Sequence, residues 1–528
     1  MNMIRSTTTV VHKCFSFVSM RIWIPMGLVA LSFFIYACAA LIVASGQYND
    51  FPAERSSIAA AISNVAYGAP LGKVYSGVLA QVLDFKVPLD KTLAEAARQE
   101  VLPGNLLGST MDGNGIGYIV VASLSMRLLG LHTLSIVLAM LTLMGVSAIA
   151  FSWRFPDRRA VVVILYFSSL TIMLFTPLVW QPGYSLNMTI GGIRYFSLVA
   201  ILPAFHLLLE CADSRGSGSR MTGGTLGAMS VQVVVLVLAI LVRNSAASIV
   251  AAVGAGCFLV AWLARREPGA TMRTLRKATY MTMVGAAFVG LLMLSVSKDY
   301  LRNGRFTETV WHRIFLGLHV NPAWPYGNVR DLFDCKRFIP QGILPGADDQ
   351  SAHCVWLDYA TKHNIPVDKA VTMTYDREYD KALREAFFKI VRLYPEEAFK
   401  TIFYYKPQYI VWSIAQSLDI KLVGVQPALI WLLVASLVNL LAFSVFPSPI
   451  SSSNSHLIIA GATILLAAFS TLPYIAVWAM PHTSGDLLLL SLFGLGLTAT
   501  AIFERIRSML LPRSVLEPTR SMRAVSSR

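Results

Sequence analysis

Residues 22–45 read IWIPMGLVALSFFIYACAALIVAS, and this stretch decides the fold. Its roughly 24 residues include no charged side chain and are enough to cross a bilayer as one helix. Basic residues precede it, and the small residues Ala37-Cys38-Ala39 would suit cleavage of a signal peptide. The apolar run is too long for a typical signal core, so we predict an uncleaved anchor with a cytoplasmic N-terminus.

The whole chain has the composition of a membrane protein. Of its 528 residues, 55% are hydrophobic and 14% are charged, and its mean hydropathy is +0.59. A soluble protein could not bury that much apolar surface. We therefore predict an all-α polytopic membrane protein with about ten transmembrane helices and additional interfacial helices. The later predicted spans are Leu131–Ser152, Ala160–Trp180, Ile193–Leu209, Leu226–Val242, Ala246–Leu263, Ala278–Ser297, Val425–Phe446, Leu457–Trp478 and Leu487–Phe503.

The formal charge of +15 would also suit a nucleic-acid-binding protein. Here, however, the basic residues gather in short loops between apolar runs, as the positive-inside rule requires. We predict membrane lipid as a partner and no nucleic acid.

The short apolar run Gly115–Gly130 decides the topology. If it does not cross the membrane, the basic loops and the C-terminal tail all lie in the cytoplasm, and if it crosses, they all lie outside. The positive-inside rule favours the first alternative. We therefore predict a re-entrant or interfacial segment on the outer face, covered by protein or water. The basic residues concerned are Arg154, Arg158, Arg159, Arg215, Arg220, Arg265, Arg266, Arg273, Arg276, Lys277, Arg505, Arg507, Arg513, Arg520 and Arg523.

This topology divides the chain into four parts. Residues 1–297 form an N-terminal transmembrane module that includes a first periplasmic loop at 46–130. Residues 298–424 form a large periplasmic loop, which we expect to be mostly helical. Transmembrane helices at 425–503 and a basic cytoplasmic tail at 504–528 complete the chain.

Two helices are expected in the second half of the large loop. Asp376–Leu393 carries apolar residues at spacings of three and four, which is typical of one helical face. The sequence Pro395-Glu396-Glu397 is typical of a helix start. We expect that second helix, which carries Phe399 and Phe403, to lie along the membrane surface.

The chain has six cysteines. Only Cys335 and Cys354 fall in a predicted outer loop, where an oxidising compartment would allow them to form a disulfide. Two unpaired buried thiols are the alternative.

Asp50 follows the first apolar run, in the stretch Gly46-Gln47-Tyr48-Asn49-Asp50-Phe51-Pro52. A carboxylate at the membrane surface can serve as the base that removes a proton from an acceptor hydroxyl. Glu54 is the nearest alternative base. Asp50 could instead only cap a helix that begins near Pro52.

Four further residues on the same predicted face could bind a lipid phosphate. These are Arg194 after two glycines, Arg243 in a tight turn, and Arg302 and His312 early in the large loop. Guanidinium groups bind phosphate oxygens through paired hydrogen bonds and stabilise a departing phosphate. Alternatively, arginines at helix ends extend toward lipid headgroups, and His312 forms a hydrogen bond within the loop.

Other kinds of site are not indicated. The chain has no zinc-ligand spacing, no phosphate-binding or dinucleotide-binding glycine motif and no nucleophile elbow. We predict no metal and no cofactor.

This layout resembles that of the GT-C-fold membrane glycosyltransferases, which use polyprenyl-phosphate-linked sugars. Asp50 and Glu54 match the position of that family's catalytic acid, and Ala53–Val65 and Gly115–Gly130 resemble its interfacial helices. Two further stretches resemble segments of the late outer loop in bacterial members. They are Trp311-His312-Arg313-Ile314-Phe315-Leu316-Gly317-Leu318 and Leu383-Arg384-Glu385-Ala386-Phe387-Phe388, the latter continuing to Tyr394-Pro395.

The resemblance implies an inverting glycosyltransferase of a bacterial inner membrane, with its active site on the periplasmic face. It would move a sugar from a polyprenyl-phosphate donor to a cell-surface glycan, lipopolysaccharide, or a protein such as a pilin. A paired acidic motif is absent, which argues against the oligosaccharyltransferase and protein-mannosyltransferase branches and against metal dependence.

Two other functions remain open. One is a lipid-linked glycan transporter or flippase, which should have charges at the bilayer midplane. Ionisable residues within these spans are few, mainly His206, and this favours the enzyme. The other is a polymerase or ligase that joins preassembled glycans.

Overall fold

The computed structural model describes most of the chain outside its first and last segments. The described residues are 54–84, 86–107, 116–158, 161–173 without 163, 167 and 171, 196–213, 221–298, 310–321, 332–333, 348–365, 377–417, 453–476, 486–494 and 497. This part of the chain is mostly helical, as predicted. The predicted spans at 22–45 and 425–446 lie outside it.

The first loop contains three helices and a small ribbon. The helices are α1 (Arg55–Tyr67), α2 (Ser76–Leu83) and α3 (Leu89–Ala97). Strand β1 (Val74–Tyr75) lies between α1 and α2, and strand β2 (Leu106–Leu107) follows α3. The strands are antiparallel, with Val74 opposite Leu107. An entirely α-helical chain was predicted, and this ribbon is a minor correction.

Helix α1 lies inside the protein. All residues from Arg55 to Asn64 are buried, whereas a helix that rests on a bilayer would expose one face to lipid. Its many alanines and serines allow other helices to approach from every side. The helix ends at Gly68, whose φ of 69° is the left-handed conformation that favours glycine at this position. The helix predicted at Ala53–Val65 is therefore present and is covered by protein.

Six further helices precede the large loop. They are α4 (Ile116–Leu129), α5 (Thr133–Arg154), α6 (Phe196–Ala212), α7 (Gly223–Val242), α8 (Ala247–Leu263) and α9 (Pro268–Ser295). Short 3-10 turns at Pro156–Arg158 and Asn244–Ala246 follow α5 and α7. The described residues within 161–173 are also helical.

Helix α4 is the short run that decided the predicted topology. Its 14 residues cover roughly 21 Å along the helix axis, less than the ~30 Å hydrocarbon core of a bilayer. It packs against α1, α5 and α7, so protein covers much of its surface.

Helix α9 begins earlier than predicted. The span was expected to start at Ala278, but the helix starts at Pro268, because proline is well suited to the first helical position. Arg273, Arg276 and Lys277 are therefore helical rather than part of a loop. Lys277 is also buried.

The large loop forms a second helical core. Its elements are α10 (Val310–Leu316), α11 (Asp348–Lys362), α12 (Arg377–Leu393), α13 (Pro395–Lys400), a π-helical turn (Thr401–Tyr405) and α14 (Lys406–Ser417), and a 3-10 turn at Gly317–Val320 follows α10. As the apolar spacing predicts, Tyr379, Leu383 and Ile390 of α12 are buried in this core. Helix α13 begins at Pro395, again as predicted.

Helix α15 (Ser453–Ala476) follows in the C-terminal region, and residues 486–494 are helical. Four segments among the described residues are long and apolar enough to cross a membrane, namely α5, α7, Gly269–Ser295 and Ile458–Ile475. Large apolar side chains on the outside of α8 and α9, such as Phe258 and Leu294, are exposed. A bilayer would cover this surface.

Contacts between helix ends show the direction of the helices. Arg154 at the end of α5 forms an ion pair with Glu210 near the end of α6, and Glu210 also pairs with Lys277 in the first part of α9. The opposite end of α9 meets the first loop, where the Ser297 amide donates to the Leu71 carbonyl at 3.0 Å. These contacts place the ends of α5 and α6 and the start of α9 at one end of the bundle, and the end of α9 at the other.

Candidate functional site at the Arg243 turn

The structure describes only part of the predicted site. Glu54, Arg243, His312 and Cys354 are described. Asp50, Arg194, Arg302 and Cys335 lie outside the described residues, and their roles stay predictions.

Glu54 lies directly before α1 and is buried. Its backbone carbonyl accepts a hydrogen bond from the Ile58 amide at 2.9 Å, while its side chain makes no capping hydrogen bond to the helix. A carboxylate at this position also benefits from the positive end of the helix dipole. The structure therefore places Glu54 at the start of a buried helix, close in sequence to Asp50.

Arg55 directly follows Glu54 and has a structural role. Its Nη1 atom donates to the carbonyl oxygens of Val82 at 2.5 Å and Asp84 at 3.1 Å. Asp84 caps the C-terminal end of α2. Arg55 thus satisfies carbonyls that a helix end leaves without partners, and it joins α1 to α2.

Arg243 ends α7 and begins a tight turn. Its backbone amide donates to the Ala239 carbonyl at 2.9 Å, and its carbonyl accepts from the Ala246 amide at 2.9 Å. Its Nε atom donates to the Ser245 hydroxyl at 2.7 Å. The backbone therefore fixes Arg243 at the end of an apolar helix, and Ser245 orients its guanidinium group.

A buried carboxylate and a tyrosine accompany this arginine. The Tyr474 hydroxyl donates to Asp486 Oδ1 at 2.6 Å, and both side chains are buried. The positive charge of Arg243 acts on both groups. A buried carboxylate requires hydrogen bonds, and Tyr474 supplies one. The positive charge of Arg243 favours the ionised form of the same carboxylate.

The first turn of α4 lies next to the Arg243 turn. A Cβ atom on Gly117 would lie 2.4 Å from the Leu241 carbonyl carbon and 2.6 Å from the Val242 nitrogen, so only glycine allows this approach. The Tyr118 ring also meets the Phe196 ring edge-on, with centroids 6.2 Å apart. Phe196 begins the described part of α6, two positions after Arg194. The helix that follows Arg194 and the helix that precedes Arg243 therefore meet at α4.

Lys406 adds a further polar group in this region. It begins α14 and is buried, and Ile410, one turn later, packs against Tyr474 and Leu487. Burial lowers the pKa of Lys406 to about 8, because removal from water disfavours the charged form.

His312 lies on α10 in the large loop and is half-buried. One of its ring nitrogens, Nδ1, is 2.7 Å from the Tyr379 hydroxyl, and α10 is capped by Asp380, which accepts from the Trp311 amide at 2.9 Å. These contacts match the alternative role, a hydrogen bond within the loop. Its proposed contact with a lipid phosphate is not tested by them.

Cys354 is buried in the same core and is disulfide-bonded. Its partner lies outside the described residues, so the pairing with Cys335 stays a prediction.

His206, the ionisable residue noted within a predicted span, joins three helices. Its Nδ1 atom is 3.2 Å from Gln232 Nε2, and Gln232 also exchanges hydrogen bonds with Ser147. These residues lie on α6, α7 and α5, so His206 belongs to a polar contact between packed helices.

Sequence reasoning missed Asp486, Tyr474 and Lys406. A signal for Asp486 was present, because it directly precedes the last predicted span and the predicted topology assigns it to the same face as Arg243. Tyr474 was treated as part of an apolar span, and no role was assigned to Lys406. Neither has a local pattern that would distinguish it.

The region around Arg243 carries two basic side chains, Arg243 and Lys406. Arginine and lysine are suited to phosphate. Among the described residues no three His, Cys, Asp or Glu side chains are grouped to hold a metal ion.

Three comparisons with known proteins do not identify a family for this chain. No protein-family model matches the chain, and no match was found among curated proteins. Two solved structures of ArnT from Cupriavidus metallidurans, one bound to undecaprenyl phosphate and one in the apo state, are similar to it at 14% sequence identity, over 89% of this chain and 78% of theirs. Their TM-score is 0.29, and at that value the likeness carries no argument about this chain.

Proposed function

We propose that this chain is an inverting membrane glycosyltransferase that moves a sugar from a polyprenyl-phosphate donor to an acceptor at the periplasmic face of a bacterial inner membrane. The acceptor would be a cell-surface glycan, lipopolysaccharide, or a protein such as a pilin. The observation that supports this proposal is the placement of Arg243 at the end of an apolar helix, beside Asp486. A lipid phosphate lies at the corresponding depth of a bilayer.

In the proposed reaction Asp50 accepts the proton of the acceptor hydroxyl, with Glu54 as the alternative base. The acceptor oxygen then attacks the anomeric carbon from the side opposite the phosphate. The bond between that carbon and the phosphate oxygen breaks, and its electron pair leaves with the polyprenyl phosphate. The configuration at the anomeric carbon is inverted.

The cations would stabilise the departing phosphate. We assign this role to Arg194 and Arg243, with Arg302 and His312 as further contacts. Asp486 and Tyr474 would orient Arg243 and would not contact the reacting atoms. In this assignment the carboxylate beside Arg243 is a positioning residue, and the base comes from the first loop.

The test is sugar transfer by purified Asp50→Asn protein in detergent. Loss of a general base lowers activity by about 10²- to 10⁴-fold, and we expect a loss of this size with an unchanged elution volume and melting temperature. Glu54→Gln is the matched comparison, since it removes the neighbouring carboxylate. Wild-type activity in Asp50→Asn would overturn the assignment of Asp50, and a full loss in Glu54→Gln alone would move the base to Glu54.

A deletion strain separates the proposal from the other two functions. A transferase mutant should retain the lipid-linked sugar and lack one terminal or branching sugar on the surface glycan. A flippase mutant should instead lose every sugar that depends on the transported lipid. A polymerase or ligase mutant should accumulate preassembled glycan, and mass spectrometry of both pools distinguishes these outcomes.

A further inference from the structure

A cavity of about 430 Å³ lies at the end of the helical bundle opposite Arg243. Trp153, Arg154 and Arg158 line it from the end of α5 and the turn that follows, and Thr222 and Thr225 line it from the start of α7. One carboxylate, Asp213 directly after α6, also lines it. The 20 residues of α7 rise roughly 30 Å. This distance separates the cavity from the Arg243 turn, so it is no part of the site proposed above.

Arg154 is already balanced by carboxylates. It forms an ion pair with the buried Glu210 through Nε, and its Nη2 lies 3.4 Å from Asp213 Oδ2. Lys277 Nζ lies 3.0 Å from Glu210 Oε2. Two cations thus face two carboxylates, and Arg154 by itself gives no reason to expect a ligand.

Arg158 differs from Arg154. Its Nη1 atom is buried and has no hydrogen-bond partner, and no carboxylate among the described residues forms an ion pair with it. Its guanidinium carbon lies 5.1 Å from the centroid of the Phe155 ring, which also contacts Arg154. An acceptor oxygen in the cavity would recover the free energy of this unpaired donor once the guanidinium group turns toward it. Stacking on Phe155 keeps the guanidinium group beside the cavity.

The start of α7 contributes a second attraction for anions. The Thr222 hydroxyl accepts a hydrogen bond from the Thr225 amide at 3.2 Å, which makes Thr222 the N-cap. The helix dipole places partial positive charge at this end, and amides of the first turn have no partner within the helix. Anions bind readily at such a position.

We propose that this cavity binds a phosphate group through Arg158 and the start of α7. A planar guanidinium group matches two phosphate oxygens, and the volume falls within the ~300–1,000 Å³ of typical ligand sites. The cavity lies where the transmembrane segments α5 and α7 meet the membrane surface. The phosphate could therefore belong to an anionic lipid headgroup or to a free phosphate in the adjoining solution, and the chemistry of recognition is the same.

Two probes distinguish the sources, with the purified, delipidated full-length chain in detergent. Inorganic phosphate is titrated against chloride at equal ionic strength, with the melting temperature and tryptophan fluorescence as readouts. Dioleoyl phosphatidic acid is titrated separately and counted by native mass spectrometry. Arg158→Gln is compared with the matched control Arg265→Gln, because Arg265 lies in a loop at the same end of the bundle but stacks on Trp262 outside the cavity.

We expect one probe to bind wild type and Arg265→Gln equally, with at least tenfold weaker binding to Arg158→Gln. Saturation by inorganic phosphate identifies a free phosphate, and binding of phosphatidic acid alone identifies a headgroup. If Arg158→Gln does not fold, Arg158→Lys, which keeps the charge but loses the paired donors, should bind several-fold more weakly. Failure of both probes to bind wild type, or equal binding by the Arg158 and Arg265 variants, would overturn the proposal.

Discussion

One arginine lies near each end of α7, and the two have different partners. Arg154, which ends α5, lies near the N-terminal end of α7, and Arg243 directly follows its C-terminal end. At the N-terminal end, Arg154 is held by Glu210 and Asp213 within an ion network that includes the buried Lys277. At the C-terminal end, Arg243 is held by backbone hydrogen bonds and Ser245 and acts on the Asp486–Tyr474 pair. The first arrangement ties three helices together. The second fixes one cation at the membrane surface.

The difference shows that residue type and depth do not determine a role. Both arginines lie at helix ends, where extension toward headgroups was the common alternative. Partners from distant parts of the chain determine which arginine forms ion pairs that stabilise the fold. We therefore expect substitutions at the first end to affect mainly stability, and substitutions at the second end to affect mainly transfer.

The largest effect is expected for Glu210→Gln. The substitution leaves the buried Lys277 and the partly exposed Arg154 without their shared counter-charge, and breaking a buried ion pair costs about 3–5 kcal/mol. The melting temperature in detergent measures this loss. Asp213→Asn is the matched control, because its half-exposed carboxylate should contribute only about 0–1 kcal/mol. Equal losses in both variants would contradict a buried network centred on Glu210.

Lys406→Met should stabilise the protein near neutral pH, by up to about 3 kcal/mol. Burial lowers the pKa of Lys406 to about 8 from 10.5, so between these values the unfolded chain binds more protons than the folded chain. Stability of the wild type should therefore rise with pH across this window, and the advantage of the variant should shrink. Melting temperatures measured from neutral pH to the upper end of the window test this. Lys400→Met serves as the control, and the same pH dependence there would contradict the assignment to Lys406.

Gly117→Ala should destabilise the contact between α4 and α7 by about 1–3 kcal/mol, because the added Cβ overlaps the backbone at Leu241 and Val242. Gly227→Ala is the control, since a Cβ there meets nothing within 4 Å. Transfer activity should fall in the first variant at temperatures where it remains folded. Activity and stability unchanged from wild type would show that α4 does not position the Arg243 turn.

Asp486→Asn should lower kcat/KM by about tenfold, or about 1.4 kcal/mol. The amide keeps an acceptor for the Tyr474 hydroxyl but removes the charge that helps to orient Arg243. Tyr474→Phe should give a smaller loss, and both should act mainly on KM for the donor. A loss as large as that of Asp50→Asn, confined to kcat, would instead point to Asp486 as the base.

Much of the fold could be predicted, because its signals are local. Apolar length placed α5, α7, α8 and α15 within a few residues of their observed bounds, and apolar spacing identified α12. The start of α9 was misplaced, since charged residues at Arg273–Lys277 suggested a loop although proline at 268 begins the helix. The candidate site was harder to predict. The sequence singled out Arg243 and missed its partner Asp486.

The sequence by itself determined the apolar helices, because hydropathy depends on neighbouring residues. Only the tertiary structure decided that α1 is enclosed by protein, that Arg55 holds the end of α2, and that Asp486 and Tyr474 accompany Arg243. These contacts join segments far apart in the chain. Their energies come from packing and from electrostatics in a buried environment, which no local pattern of residues records.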